Sequence, residues 1–187
     1  MEEVLNFSQL SALIVDCDRY SQGIVTQILR GFGLTRQSVA NSGAEAKSYL
    51  VNNHYDIIVT ECVLPDVRAA EFVNWIRRHA NPAIKYVPIV MLTGYAHYSN
   101  VAAARDSGAN SFVRKPVSPS VLFDHIAWSA KTDRPFIEAD GYAGPCRRFK
   151  FGDTRPGRNR RKSDPKDDEA QSQPQETAET QREPATP

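Results

Sequence analysis

Short, uninterrupted apolar runs separated by stretches of helical periodicity constrain this chain more than any other feature. Residues 11–15 read SALIV and residues 57–59 read IIV, the pattern of strands buried on both faces rather than of strands with one wet side. Between such runs the apolar spacing changes. Ile24, Val25, Ile28 and Leu29 recur at helical intervals within 19–31, and Gly31 and Gly33 terminate that stretch.

The alternation continues along the chain. A short strand through Gln37, Val39 and Ala40 leads to Asn41 and Ser42, either of which can cap a helix over about 43–51 with Ala44, Ala46, Tyr49 and Leu50 on its apolar face. A strand over 55–61 follows, broken by Leu64, Pro65 and Asp66. A helix over about 69–79 then turns Phe72, Val73 and Ile76 inward. The fourth strand, 87–92, starts through Pro88, which is tolerated there but not in a strand interior, and Thr93 and Gly94 end it. A helix over about 99–107 stopping at Gly108, a strand over 111–114 and a last helix over about 119–130 complete five strand–helix units. Strict alternation with right-handed crossovers predicts an α/β fold, a doubly wound five-stranded parallel sheet covered on both faces. Ligand sites in such sheets lie beyond the carboxyl ends of the strands, where Asp16, Glu61, Thr93 and Lys115 fall.

After Lys131 the apolar runs stop, and Pro, Gly, Arg, Gln, Thr and Glu take over. Such a segment cannot offset an ordering entropy of about 1 to 2 kcal/mol per residue. The expected organisation is therefore an N-terminal extension (1–9), one domain (10–131) and a disordered tail (132–187), basic at 147–162 and then polar and acidic. The formal net charge of +1 conceals eight Lys or Arg residues in 147–162 against the single acid Asp153. No apolar run approaches the ~18 residues of a membrane span, and 1–10 lacks a secretory pattern, so a cytoplasmic protein without membrane contact is expected. Cys17, Cys62 and Cys146 have no metal-cluster spacing and read as reduced thiols, Cys17 and Cys62 as buried packing beside the site. Four histidines lack ligand spacing. With no Gly-rich phosphate loop and no nucleophile elbow, enzymatic activity is not expected.

Four polar side chains delivered by four strands to one rim suggest a cation and a phosphoryl group: carboxylate oxygens suit a hard ion, and a hydroxyl and an ammonium suit transferred phosphoryl oxygens. The segments LIVDCD at 13–18, DIIVTECVLPD at 56–66, PIVMLTG at 88–94 and SGANSFVRKP at 107–116 together resemble the receiver domain of two-component response regulators, over about 10–131. The resemblance implies a flavodoxin-like (βα)5 fold and phosphorelay signalling of the chemotaxis single-domain type. In that family an aspartate ending the third strand accepts a phosphoryl group from a histidine kinase, and two acids after the first strand help hold magnesium. Carried over residue by residue, Asp16 matches the first acid, Thr93 the hydroxyl, Lys115 the lysine before a typically cis proline, Pro116, and Phe112 the switch aromatic, with Thr93 as its partner in switching.

Two positions depart from the pattern: Glu61 occupies the phosphoacceptor position and Cys17 that of the second acid. A glutamate reaches about one methylene further, into space the ion and phosphoryl group need. Sulfur replaces a hard oxygen donor. The metal set Asp16, Cys17, Glu61 and Val63 is expected to form a weakened or absent magnesium site, with no other cofactor. The resulting expectation is an atypical, stand-alone pseudo-receiver that signals through protein contacts. Its partners would be a histidine kinase, a phosphotransferase or a downstream target. They would meet a face built from the helix over 99–107, the fifth strand and the last helix, including Tyr98, Val101, Arg105, Phe112 and Val117. Two alternatives stand beside it: a receiver that still accepts phosphoryl groups, and a scaffold whose tail binds anions.

For the tail reading, Arg147, Arg148, Lys150, Arg155, Arg158, Arg160, Arg161 and Lys162, interleaved with Phe149 and Phe151, are suited to nucleic acid or a cyclic dinucleotide. A solvated basic linker accounts for the same residues. Tyr142, Gly144, Pro145, Arg147 and Arg148 also resemble the GP-x-RR-type extensions of some single-domain regulators.

Overall fold

A computed structural model of the 187-residue chain describes residues 7–94, 106–131 and 134–146. Five parallel strands, β1 (Ser11–Val15), β2 (Arg36–Ala40), β3 (Ile57–Glu61), β4 (Ile89–Thr93) and β5 (Ser111–Arg114), form one sheet in the order β2-β1-β3-β4-β5. Strand order reverses at β1, so the crevice beyond β1 and β3 is the expected ligand position of a doubly wound sheet. The register places Val15 beside Thr60, Glu61 beside Leu92, and Thr93 beside Arg114. All the carboxyl ends therefore reach the same rim.

Helices α1 (Arg19–Gly31), α2 (Gly43–Asn52), α3 (Ala69–Arg77), a single turn α4 (Pro82–Lys85) and α5 (Pro119–Lys131) cover the sheet. Alternate strand residues divide the core, as the two-residue period of a strand requires. Leu13, Val15, Ile58 and Met91 pack with Phe72, Val73 and Ile76 of α3. Ala12, Ile14, Val59, Val90 and Leu92 pack with Val25 and Leu29 of α1 and with Leu122 and Ile126 of α5. Asp18 caps α1 by accepting the Tyr20 N–H at 3.0 Å, and Ser42 rather than Asn41 caps α2, its hydroxyl accepting from Glu45 N at 3.2 Å. Asp66 reinforces α2 from outside, accepting the N–H groups of Gly43 and Ala44 at 2.8 Å each. Its carboxyl lies below the usual range because of those two bonds.

Several expectations need correction. Ile24 and Ala44 are exposed, because the buried faces of α1 and α2 are narrower than the apolar spacing suggests. Strand β4 begins at Ile89 rather than Val87. Pro88 lies outside it and contributes only its carbonyl, to the Ile58 N–H at 2.9 Å. Residues 1–9 are not all a free extension: Phe7 is buried edge-on against Phe123 at 5.5 Å. Nor does a tail begin at 132. Strands β6 (Phe136–Ala139) and β7 (Tyr142–Pro145) form an antiparallel hairpin turned by Asp140 and Gly141, the latter at φ +83°. Asp-Gly between two strands is a hairpin signal with a definite cause, since the tight turn needs positive φ. The helix over 99–107 lies outside the described residues except for its end. No described helix is long and apolar enough to cross a membrane.

The Arg77 side chain at the end of α3 is fully buried and donates to Gly108 O (2.8 Å), Lys85 O (2.7 Å), Val87 O (2.8 Å) and Asn110 Oδ1 (2.8 Å). Burial pushes its pKa down to about 9. Replacing it with leucine would leave buried acceptors unsatisfied, at a cost of roughly 1 to 3 kcal/mol for each group not rehydrated. Urea unfolding of Arg77→Leu is expected to show a loss of at least ~2 kcal/mol with an unchanged denaturant slope.

Candidate functional site

The shared rim carries a closed ion triad. Asp16 follows β1 directly, Glu61 ends β3 and Lys115 follows β5 directly. The buried Asp16 accepts from Lys115 Nζ at 2.9 Å, and Glu61 Oε2 is in direct contact with the same nitrogen. The third acceptor is the hydroxyl of Ser21, one turn into α1, at 2.7 Å. An ammonium has three N–H donors, and these three oxygens take them all. The carboxylates are engaged as well. Asp16 Oδ1 accepts the Asp18 N–H at 2.9 Å, and Glu61 Oε1 accepts the Cys62 N–H at 2.7 Å. Gln22 bonds the Asp16 carbonyl and reaches Asn41 Oδ1 at 3.0 Å, which fixes the start of α1 against the end of β1.

Two carboxylates face one ammonium in a half-shielded pocket. Burial alone lowers the Lys115 pKa, but hydrogen bonds and charge from Glu61 and Asp16 outweigh it, so the lysine titrates above its ordinary value of 10.5. Thr93 ends β4 and is buried. Its hydroxyl engages the Cys62 side chain, whose thiol burial pushes up to about 11 against that bond. Cys62 is therefore a protonated packing group at neutral pH.

The remaining expected residues are placed differently. Cys17 points to solvent, which corrects the expectation of a buried thiol. Val63 is 58% exposed in the loop after β3, bridged to Arg68. Asp18 is committed to capping α1. Phe112 on β5 is partly buried against the α2–α3 side of the core, and Val117 against the other. Tyr98, Val101, Arg105 and the basic set from Arg147 to Lys162 lie outside the described residues. Ser21, Gln22 and Asp66 escaped the sequence reading. Only the position of Ser21, just inside the helix after Asp16, could have pointed to it.

Among the described residues no three carboxylate, imidazole or thiolate groups converge as a metal ligand set. Asp16 and Glu61, the acids that do meet, share Lys115. The Lys115–Pro116 peptide is cis.

Rim, topology and sequence segments together define a receiver, and the comparisons agree. Residues 12–127 match the family model described as the response regulator receiver domain. The chain is 28% identical over 117 residues to the chemotaxis protein CheY of Pseudomonas aeruginosa, covering 63% of this chain and 93% of that protein. With chemotaxis protein CheY-3 of Vibrio cholerae it is 29% identical over 126 residues, 67% and 95% of the two chains. A crystal structure described as a response regulator from Chloroflexus aurantiacus superposes with a TM-score of 0.61 at 29% identity, covering 66% of this chain and 98% of that one. This chain belongs to the response regulator receiver family.

The triad generates a pH-dependent prediction. Because Lys115 has a folded pKa above its unfolded one, its stabilisation is complete below about pH 10.5 and is lost as pH rises through the folded value. In Lys115→Met, Asp16 and Glu61 face each other uncompensated. Two largely buried carboxylates then lack their shared counter-charge, so the variant is less stable than wild type at neutral pH. Melting temperatures measured from neutral pH upward are expected to show a wide gap between wild type and variant that narrows only once the pH has risen beyond 10.5 and Lys115 loses its proton.

Proposed function

We propose that this receiver signals without accepting a phosphoryl group, its site being held by the internal Glu61–Lys115–Asp16 triad, and that it works as a binding module rather than a catalyst. One observation carries the reading: all three Lys115 donors are taken by Asp16, Glu61 and Ser21. A transferred phosphoryl group needs an ammonium to neutralise its oxygens, and here one would have to displace a carboxylate or the Ser21 hydroxyl first. The longer Glu61 side chain supports the same conclusion by reaching the position itself. It brings one negative charge where a phosphoryl group brings about 1.5 to 2.

The proposal extends to the cofactor. With Cys17 turned to solvent and both acids bonded to Lys115, a magnesium site involving Asp16, Cys17, Glu61 and Val63 is weakened or absent. Millimolar magnesium is expected to move the melting temperature by less than about one degree; a dose-dependent rise of several degrees would show a working site. Partners are signalling proteins of the histidine kinase, phosphotransferase or downstream-target kind. The relatives named chemotaxis proteins support that class, and the face expected to meet them would include Phe112 and Val117, with Thr93 and Phe112 the switch pair. This reading goes with a protein that acts in the cytoplasm through its receiver domain.

The test is phosphoryl transfer from a small acyl-phosphate donor with magnesium present. Wild type is expected to incorporate no more label than Glu61→Ala, whereas Cys17→Asp/Glu61→Asp gains alkali-labile label. Label on wild type that disappears in Glu61→Ala would instead establish a phosphorylation-competent receiver. A second reading rests on the density of basic residues from Arg147 to Lys162, which suits nucleic acid or a cyclic dinucleotide. Salt-sensitive binding of an oligonucleotide or cyclic dinucleotide that is lost when those residues are neutralised would favour it. Equal, negligible binding by both forms would end it.

A further inference from the structure

The rim opposite the triad holds a second cation, and the hairpin after α5 is built around it. Arg77 is buried at that rim with four neutral acceptors, drawn from the segments that start β4 (Lys85 O, Val87 O) and β5 (Gly108 O, Asn110 Oδ1). Among the described residues no acid bonds Arg77, and a guanidinium so placed is costly to bury unless its donors find acceptors and water is kept from competing. Asn110 Oδ1 also accepts the Ile89 N–H at 3.0 Å, so one side chain ties Arg77 to the first residue of β4.

The hairpin closes over this network by direct backbone contact. A Cβ added to Gly108 would stand 2.3 Å from Ala143 O and 3.1 Å from Arg77 Cγ, and one added to Gly144 would stand 2.6 Å from Gly108 Cα. Neither position has room for a side chain, and the obstacle is mostly backbone, which cannot swing aside. Strand β7 is buried at every residue and Cys146 with it, while β6 is largely exposed. Side chains fasten the outer strand. Arg134 donates to Asn110 O at 2.9 Å and lies 4.4 Å over the Trp128 ring of α5. Lys85 pairs with Glu138 at 2.6 Å, beside the edge-to-face Tyr86–Phe136 contact at 4.7 Å. The Cys146 N–H closes the base on Pro135 O at 2.9 Å.

We infer that residues 134–146 are a strap integral to the receiver, whose docking through Gly108 and Gly144 seals the Arg77 network and ties α3, α4, β5 and α5 together at the rim opposite the triad. A receiver cut at the end of α5 would leave Arg77 open to water.

Hydrogen exchange on the full chain tests the strap. In wild type, the amides of 142–144 and 146 are expected to be protected at least about hundredfold over free-chain rates. Gly144→Val is expected to lose that protection and to speed exchange at 108–111 at least about tenfold, with β1 and β3 unaffected. Free-chain exchange at 142–144 and 146 in wild type would overturn the inference, as would Gly144→Val that frees the hairpin while 108–111 stay protected. Should that variant not fold, the wild-type measurement decides by itself, and Arg134→Ala, which removes only one tie, gives the graded version.

Discussion

The Lys115 ammonium is the interaction on which the rest of the structure depends. It is reached only because five parallel strands end in register, so that Asp16, Glu61 and Lys115 arrive within bonding distance from positions far apart in sequence. The packed, two-faced core has no slack with which to shift one strand against another, since a one-residue slip would turn every buried side chain to the other face. Sheet packing thus holds the charges together. The charges in turn make the rim a closed network.

The two rims solve the same problem differently. Lys115 is neutralised by acids, which hold it protonated more firmly than in water, while Arg77 is bonded by neutral oxygens and its burial weakens the charged form. The first arrangement joins charged partners that a phosphoryl group or a metal ion would have to displace. The second has nothing to exchange and serves to join elements. Signalling proteins that switch need one bistable region on a fixed frame, and the Arg77 rim with its strap supplies the fixed part.

Most of the sheet was legible because doubly buried strands are written as continuous apolar runs: β1 and β5 were read to their last residues, and the rim positions of Asp16, Glu61 and Lys115 followed from where the runs end. Errors arose where local pattern competes with tertiary context. Ile24 and Ala44 carry apolar side chains into solvent, and no periodicity distinguishes them from core. The β6–β7 hairpin was hidden by composition, since its strands are short and one of them is a Tyr-Ala-Gly-Pro sequence buried by close backbone approach instead of by apolar bulk. Asp140-Gly141 was the overlooked sign. Ser21 offered only its place just after Asp16 as a sign, because a serine near a helix start has many ordinary roles and only the three-dimensional position of Lys115 gives it this one.

The central claim is that the site is satisfied by its own side chains. Its most direct measurement is a nuclear magnetic resonance titration following the Lys115 side-chain ammonium and the backbone amides of Glu61, Cys62 and Thr93 while magnesium and a beryllium fluoride phosphoryl analogue are added together. The account predicts a slowly exchanging ammonium resonance already present in the free protein and no shift in any of these signals. Saturable shifts at Glu61, Thr93 and Lys115 on adding the analogue would contradict it, by showing that the triad opens to admit a phosphoryl group.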